Sequence, residues 1–175
     1  AGIDKPSSGE IRVAGVDIAR LSEAELAAWR SANVGFIFQF YNLMPVLDAF
    51  DNVELPLVYS GVPARERRHR AIEALERVGL GARWDHRPVQ MSGGEQQRVA
   101  LARSLVTDPI IVLADEPTGA LDVQTGIIVL EVIERINREL GTTTAVITHN
   151  ATISSMADRV ISLFDGKISG VSVNS

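Results

Sequence analysis

No cysteine occurs in the 175 residues, which excludes a disulfide framework and a thiolate metal site and fits a reducing compartment. No apolar run reaches membrane-spanning length and no signal-peptide pattern opens the chain, so the chain itself is expected to be soluble. Basic residues are outnumbered: 17 Lys and Arg stand against 22 Asp and Glu. The net charge of −5 argues against a general nucleic-acid binder. Only Lys5 and Lys167 are lysines. Methionine is missing from the first position, and Ala1 fits either a start further upstream or initiator removal before a small residue. No internal repeat or low-complexity segment occurs. What remains is one domain's length with 46% hydrophobic residues, enough for a real core.

The densest chemistry lies in residues 91–122, MSGGEQQRVALARSLVTDPIIVLADEPTGALD. Ser92 and Glu95 have the spacing of a capping box, which predicts a helix over 95–105. Gly93 and Gly94 in that first turn leave backbone amides uncovered, so the helix start can receive an anion such as a phosphate. Taken alone, an ordinary capped helix is the plainer reading, because such caps are common. The apolar run 110–114 is of strand length and continuous, as expected for a strand buried on both faces of a parallel sheet. It ends in Asp115 and Glu116. Two carboxylates at a buried strand's end are costly unless they bind something, and open α/β sheets place their ligands at that edge. One carboxylate can hold a hard cation such as Mg²⁺ while its neighbour orients a water.

The remaining chain supplies the frame. Residues 11–13 alternate as a half-exposed strand, and Ser22 with Glu25 caps a helix through Trp29. A buried strand over 34–38 is followed by Gln39. From Tyr41 to about Arg103 the pattern is helical, punctuated by Pro45, Pro56, Gly61 and Pro63, with Gly79 as a helix end. Arg65, Arg67, Arg68 and Arg70 form a solvated helix face with a Glu66–Arg70 pair; a nucleic-acid patch is the sharper alternative, disfavoured by the acidic whole. Asp122 caps a helix whose apolar residues are Ile127, Leu130, Ile133, Ile136 and Leu140, ended by Gly141. A strand over 143–147 leads to Thr148 and His149. Residues 158–168 read as strand, Asp-Gly turn, strand.

MSGGEQQRVALAR followed by IIVLADEPTGALD resembles the signature motif, Walker B motif and D-loop of ATP-binding cassette (ABC) ATPases, and the resemblance covers essentially the whole chain. It implies an α/β fold of the P-loop NTPase (RecA-like) type with a mostly parallel sheet. Residues 1–40 and 104–175 would form the core, and 41–103 an inserted helical subdomain that receives a permease's coupling helix. ATP and Mg²⁺ are the implied cofactors. The implied partners are a second copy of the ATPase and a transmembrane permease, not nucleic acid. The place is the cytoplasm, at the inner face of the cell membrane through that permease. The resemblance makes Asp115 the Mg²⁺ ligand through water and Glu116 the residue that polarises the hydrolytic water. FQFYNL, residues 38–43, matches the Q-loop, whose Gln39 contacts Mg²⁺ and the attacking water. His149 matches the switch histidine at the γ-phosphate. Ser92, Gly93, Gly94 and Glu95 would face the ATP held by the opposite subunit, and Ala120, Leu121 and Asp122 would communicate across the dimer. NLMPVLDAFDNVELPL, DEPTGALD and THN look most like the bacterial group that releases lipoproteins, exports macrolides or serves cell-division permeases.

The family's phosphate loop, G-x-x-x-x-G-K-S/T, does not occur in these residues. Lys5 follows Asp4, and Lys167 has Ile161 where the first glycine would stand. By resemblance, residues 1–6 align just after the P-loop helix, which puts the first strands, the adenine-stacking aromatic and the P-loop upstream. Two expectations follow from this. The chain as given has no ATPase activity or high-affinity ATP site alone. And because the P-loop strand is expected beside the Walker B strand, 110–114 is left with an unpaired apolar edge. The rival readings are a soluble ABC ATPase of DNA repair or translation and a non-catalytic remnant that binds a partner. The short span from Gln39 to Ser92 has no room for a repair ATPase's coiled coil, and a translation factor would normally carry two cassettes.

Overall fold

The computed structural model describes residues 2–174. Strands β1 (Arg12–Val13) and β2 (Val16–Asp17) form a small hairpin. Ala14 and Gly15 between them both take positive φ, as a two-residue primed turn requires. Helix α1 (Glu23–Asn33) opens on the expected capping box: the Ser22 amide donates to Glu25 Oε2 at 2.9 Å and the Glu25 amide to Ser22 Oγ at 3.4 Å. It continues to Asn33 rather than stopping at Trp29, since no Gly or Pro interrupts it.

The central sheet has three parallel strands, β3 (Val34–Ile37), β4 (Ile111–Asp115) and β5 (Thr143–Ile147), in the order β3-β4-β5. Val34 pairs with Ile111 and Ile111 with Thr143; at the other end Ile37 pairs with Ala114 and Asp115 with Ile147. All three strands therefore deliver their carboxyl ends to one edge. The expected open edge on 110–114 is not there. A helical crossover returns the chain beside β4, so β5 occupies one side and β3 the other. Nor is β4 buried on both faces: Val112 and Ala114 join the core, while Ile111 and Leu113 on the opposite face are half-exposed.

Helices α2 (Ala49–Tyr59), α3 (Ala64–Arg77) and α4 (Gly93–Leu105) share a core that includes Val53, Leu57, Leu75, Val78, Val99 and Leu101. Pro56 does not end α2 but lies inside it, with one intrahelical hydrogen bond forgone. The arginines of α3 are more than a solvated face. Arg67 bonds Glu54 of α2 at 2.9 Å, and Arg70 reaches Asp108 at 2.5 Å as well as Glu66 at 3.6 Å. Helix α4 lies so close to β3 that any Cβ at Gly35 would collide with the Ser104 carbonyl, so glycine is what admits the helix.

Helix α5 (Val123–Leu140) is capped by Asp122 and ended by left-handed Gly141. Its buried stripe is Gly126, Val129, Leu130, Ile133 and Ile136, whereas Ile127 and Leu140 of the expected stripe are 38% and 37% exposed. The stripe is thus turned toward Val129. After α6 (Ala151–Met156), strands β6 (Arg159–Phe164) and β7 (Lys167–Val173) pair antiparallel around the Asp165-Gly166 turn, both residues at positive φ.

Candidate active site

Parallel pairing brings three connections to one sheet edge: Gln39 after β3, Asp115 and Glu116 at the end of β4, and Thr148 with His149 after β5. Glu116 has φ +44, a left-handed backbone that a non-glycine residue rarely takes. Its amide donates to the Ile147 carbonyl at 2.9 Å and its carbonyl accepts from the Gly119 amide at 2.9 Å, which together hold that turn. Backbone held in this region tends to mark sites where geometry serves function.

The Glu116 carboxylate is gripped from the turn after β5. Its Oε1 lies 2.7 Å from His149 Nδ1 and accepts from the His149 amide at 3.1 Å, and its Oε2 accepts from the Thr148 hydroxyl at 3.1 Å. Partial burial pushes the carboxyl up, but the hydrogen bonds from His149 and Thr148 outweigh it and hold the group below the usual glutamate range. The carboxylate therefore stays charged and oriented near neutral pH, as a general base must be. The His149 side chain is 90% exposed, so only its Glu116 side is tied to the protein. Gln39 lies across the gap: a Cβ on Gly119 would come within 2.8 Å of Gln39 Nε2.

The second part of the site is the start of α4. Ser92 accepts from the Glu95 amide at 3.3 Å, and Glu95 Oε2 accepts from the Ser92 amide at 2.8 Å. That bond from the Ser92 amide does most to hold the Glu95 carboxyl below its ordinary value. Partial burial opposes it, and Arg83 at 3.2 Å assists. The glycines do more than uncover amides. A Cβ on Gly93 would meet the Tyr41 hydroxyl at 2.6 Å and Leu121 Cδ2 at 3.2 Å, and one on Gly94 would collide with the Thr125 methyl. Thr125 is in turn bonded to Asp122, through its amide at 3.0 Å and its hydroxyl at 2.6 Å. The signature turn, the D-loop and the segment after Gln39 are thus one packed cluster, with Ser92 exposed at its surface.

Asp115 is exposed at the end of β4, and among the described residues no three His, Cys, Asp or Glu converge to hold a metal ion unaided. A single carboxylate suits Mg²⁺, which binds through one or two carboxylates, several waters and substrate phosphates. Four contributors escaped the sequence reading: Tyr41, Gln97, Arg103 and Thr125. Gln97 had a usable signal, because it falls at helical spacing on the stripe of Gly94, Leu101 and Ser104 that α4 buries.

A sheet edge that gathers carboxylates, joined to a glycine-rich helix start, is the arrangement expected of an ABC-type ATPase. Residues 1–119 match the family described as ABC transporter; the chain belongs to that family and is an ATPase domain with the P-loop NTPase fold. It is 45% identical over 166 residues to the lipoprotein-releasing system ATP-binding protein LolD of Geobacter metallireducens, a match covering 95% of this chain and 74% of that one. It is 51% identical over 166 residues to the macrolide export ATP-binding/permease protein MacB 1/2 of Paracoccus denitrificans, covering 95% of this chain but 25% of that longer one. Among solved structures, the ATP-binding cassette MJ0796, a dimer bound to ADP and Pi, matches with a TM-score of 0.84. That match is 40% identical and covers 97% of this chain and 75% of that one.

Proposed function

We propose that this domain powers a membrane permease of the lipoprotein-release, macrolide-export or cell-division type. ATP closes two copies head to tail, and hydrolysis reopens them. The observation that carries this reading is the Glu116 carboxylate, held ionised by Thr148 and His149 beside the exposed Asp115. Glu116 takes the proton of the attacking water, Asp115 would hold Mg²⁺, which would supply positive charge at the phosphates, and Gln39 and His149 respond to the γ-phosphate. ATP supplies the phosphoryl group that water attacks. Ser92, Gly93, Gly94 and Glu95 meet the nucleotide carried by the opposite copy, and Asp122 lies at the junction of the two. Residues 1–40 with 104–175 serve as the α/β core and 41–103 as the helical unit. The names of the MacB and LolD relatives and the dimeric MJ0796 cassette support the reading.

Among the described residues no helix is long and apolar enough to cross a membrane. In this proposal the domain works at the cytoplasmic face through its permease. The docking surface is 39–59, a segment without Lys or Arg in which Phe40 is 71% and Tyr59 83% exposed. Phosphate backbones need basic side chains, so a permease's cytoplasmic helix suits this surface better than nucleic acid does. Co-purification with a candidate permease tests it. Phe40→Glu with Tyr59→Glu is expected to weaken that complex about tenfold or more, the usual scale for exposed aromatic anchors. A salt-sensitive DNA or RNA complex footprinting on 39–59 would contradict it.

A further inference from the structure

Gln97 is wholly buried on α4. Its Nε2 donates to two carbonyls from different parts of the chain: Phe38 at 3.1 Å and Pro117 at 2.5 Å. Phe38 immediately precedes Gln39, and Pro117 immediately follows Glu116. A primary amide has two N–H donors, and both are committed here. Because both partners are carbonyls, the nitrogen must face them, which leaves Oε1 buried with no partner. A buried acceptor without a partner is a standing penalty. An apolar residue would avoid that penalty but would leave the two carbonyls unpaired.

Arg103, also on α4, holds the same segment further along. Its guanidinium donates to the Asn42 carbonyl at 2.6 Å and the Tyr41 carbonyl at 2.9 Å. Burial lowers its affinity for its proton, but a guanidinium stays charged at any physiological pH. The Gln39 segment is therefore hydrogen-bonded to α4 at both ends, and the segment after Glu116 is hydrogen-bonded to it through Gln97.

We infer that Gln97 is a positioning residue for hydrolysis: one amide, carried by the signature helix, sets the separation of Gln39 from Glu116 and moves both when α4 moves. This rests on the catalytic roles proposed above for Gln39 and Glu116. The first arm of the test does not depend on those roles. Amide hydrogen exchange on the 175-residue chain compares the parent with Gln97→Met and Arg103→Met. The reporters are the Asn42 amide, bonded to Phe40, and the Gly119 and Leu121 amides, bonded to Glu116 and Thr118. Gln97→Met is expected to speed exchange about tenfold or more at both sets, the equivalent of one lost hydrogen bond, with β6–β7 unchanged. Arg103→Met is expected to speed Asn42 alone. Acceleration at only one set in Gln97→Met, or uniformly over the chain, would overturn the proposal.

The second arm reads turnover in an ATP-hydrolysing cassette, this sequence joined behind a G-x-x-x-x-G-K-S/T segment. Gln97→Met is expected to lower kcat about tenfold with KM for ATP unchanged, and to have a much smaller effect in a Gln39→Ala background. Fully additive losses would mean that Gln97 does not act through Gln39. If both sets of amides loosen while Gln39→Ala and Glu116→Gln leave turnover intact, the catalytic reading fails and the tether stands. If those two variants are inactive and the amides do not respond, the tether fails and the catalytic reading stands. A Gln97→Met chain that does not fold is replaced by Gln97→Asn, whose shorter amide cannot reach both carbonyls and carries the same expectations.

Discussion

Glu95 performs two local tasks at once. It closes the reciprocal cap with Ser92, and it brings negative charge to the positive end of α4, 3.2 Å from Arg83. Its carboxyl is held below the ordinary value of 4.5. On acidification the unfolded chain therefore takes up this proton first, and stability falls. The Glu95 contribution is present above pH 4.5 and is lost as pH drops through the lower folded value. Glu95→Gln should thus destabilise the domain by about 0.5–1 kcal/mol at pH 7. Its urea midpoint should converge with that of the parent near the acid limit of folding. A gap that persists unchanged in acid would assign the effect to packing. Ser92, Glu95 and Asp122 were legible in the sequence because a cap is a rule about neighbours three positions apart. The partners of Gln97 and Arg103 were not, because the carbonyls they hold lie 59 and 61 positions away; the spacing of Gln97 on the buried stripe of α4 signals its burial but not what it bonds.

Helices α4 and α5 meet where their N-termini leave no room for a side chain on Gly94. Gly94→Ala should push its methyl into Thr125 and cost about 1–3 kcal/mol, the usual scale of overpacking. Thr125→Ser removes the colliding methyl while keeping the hydroxyl bond to Asp122, so it should return most of that loss in the double variant. Thermal melts of the four proteins form the cycle; strict additivity would show that the methyl contact is not the cause. Element identity was largely readable from the sequence, as the helices from Ser92 and Asp122 and the strand before Glu116 illustrate. Pairing and facing were not. Periodicity placed the α5 stripe on Ile127, Leu130, Ile133, Ile136 and Leu140; packing buries Leu130, Ile133 and Ile136 as expected but takes Gly126 and Val129 in place of Ile127 and Leu140. The apolar run of β4 does not reveal which strand lies beside it, and only the returning crossover settles that β5 does. Pro56 looked like punctuation because it cannot donate, yet packing against α3 and α4 sustains α2 through it.

At the scale of the whole molecule, Gln39, Asp115, Glu116 and His149 share a sheet edge because three parallel strands end there. The signature turn is held beside it by contacts with Tyr41, Leu121 and Thr125. Such an arrangement suits a machine in which water is activated on one surface and nucleotide is completed by another copy. The most direct measurement uses the cassette formed by joining this sequence behind a G-x-x-x-x-G-K-S/T segment, with Glu116→Gln as its variant. ATP turnover and sedimentation are followed together. The variant should bind ATP with near-parental affinity, hydrolyse it about 10²–10⁴-fold more slowly, and accumulate as a dimer that forms only with ATP. Turnover close to the parent, with no ATP-dependent dimer, would contradict the assignment of Glu116 as the base that resets the machine.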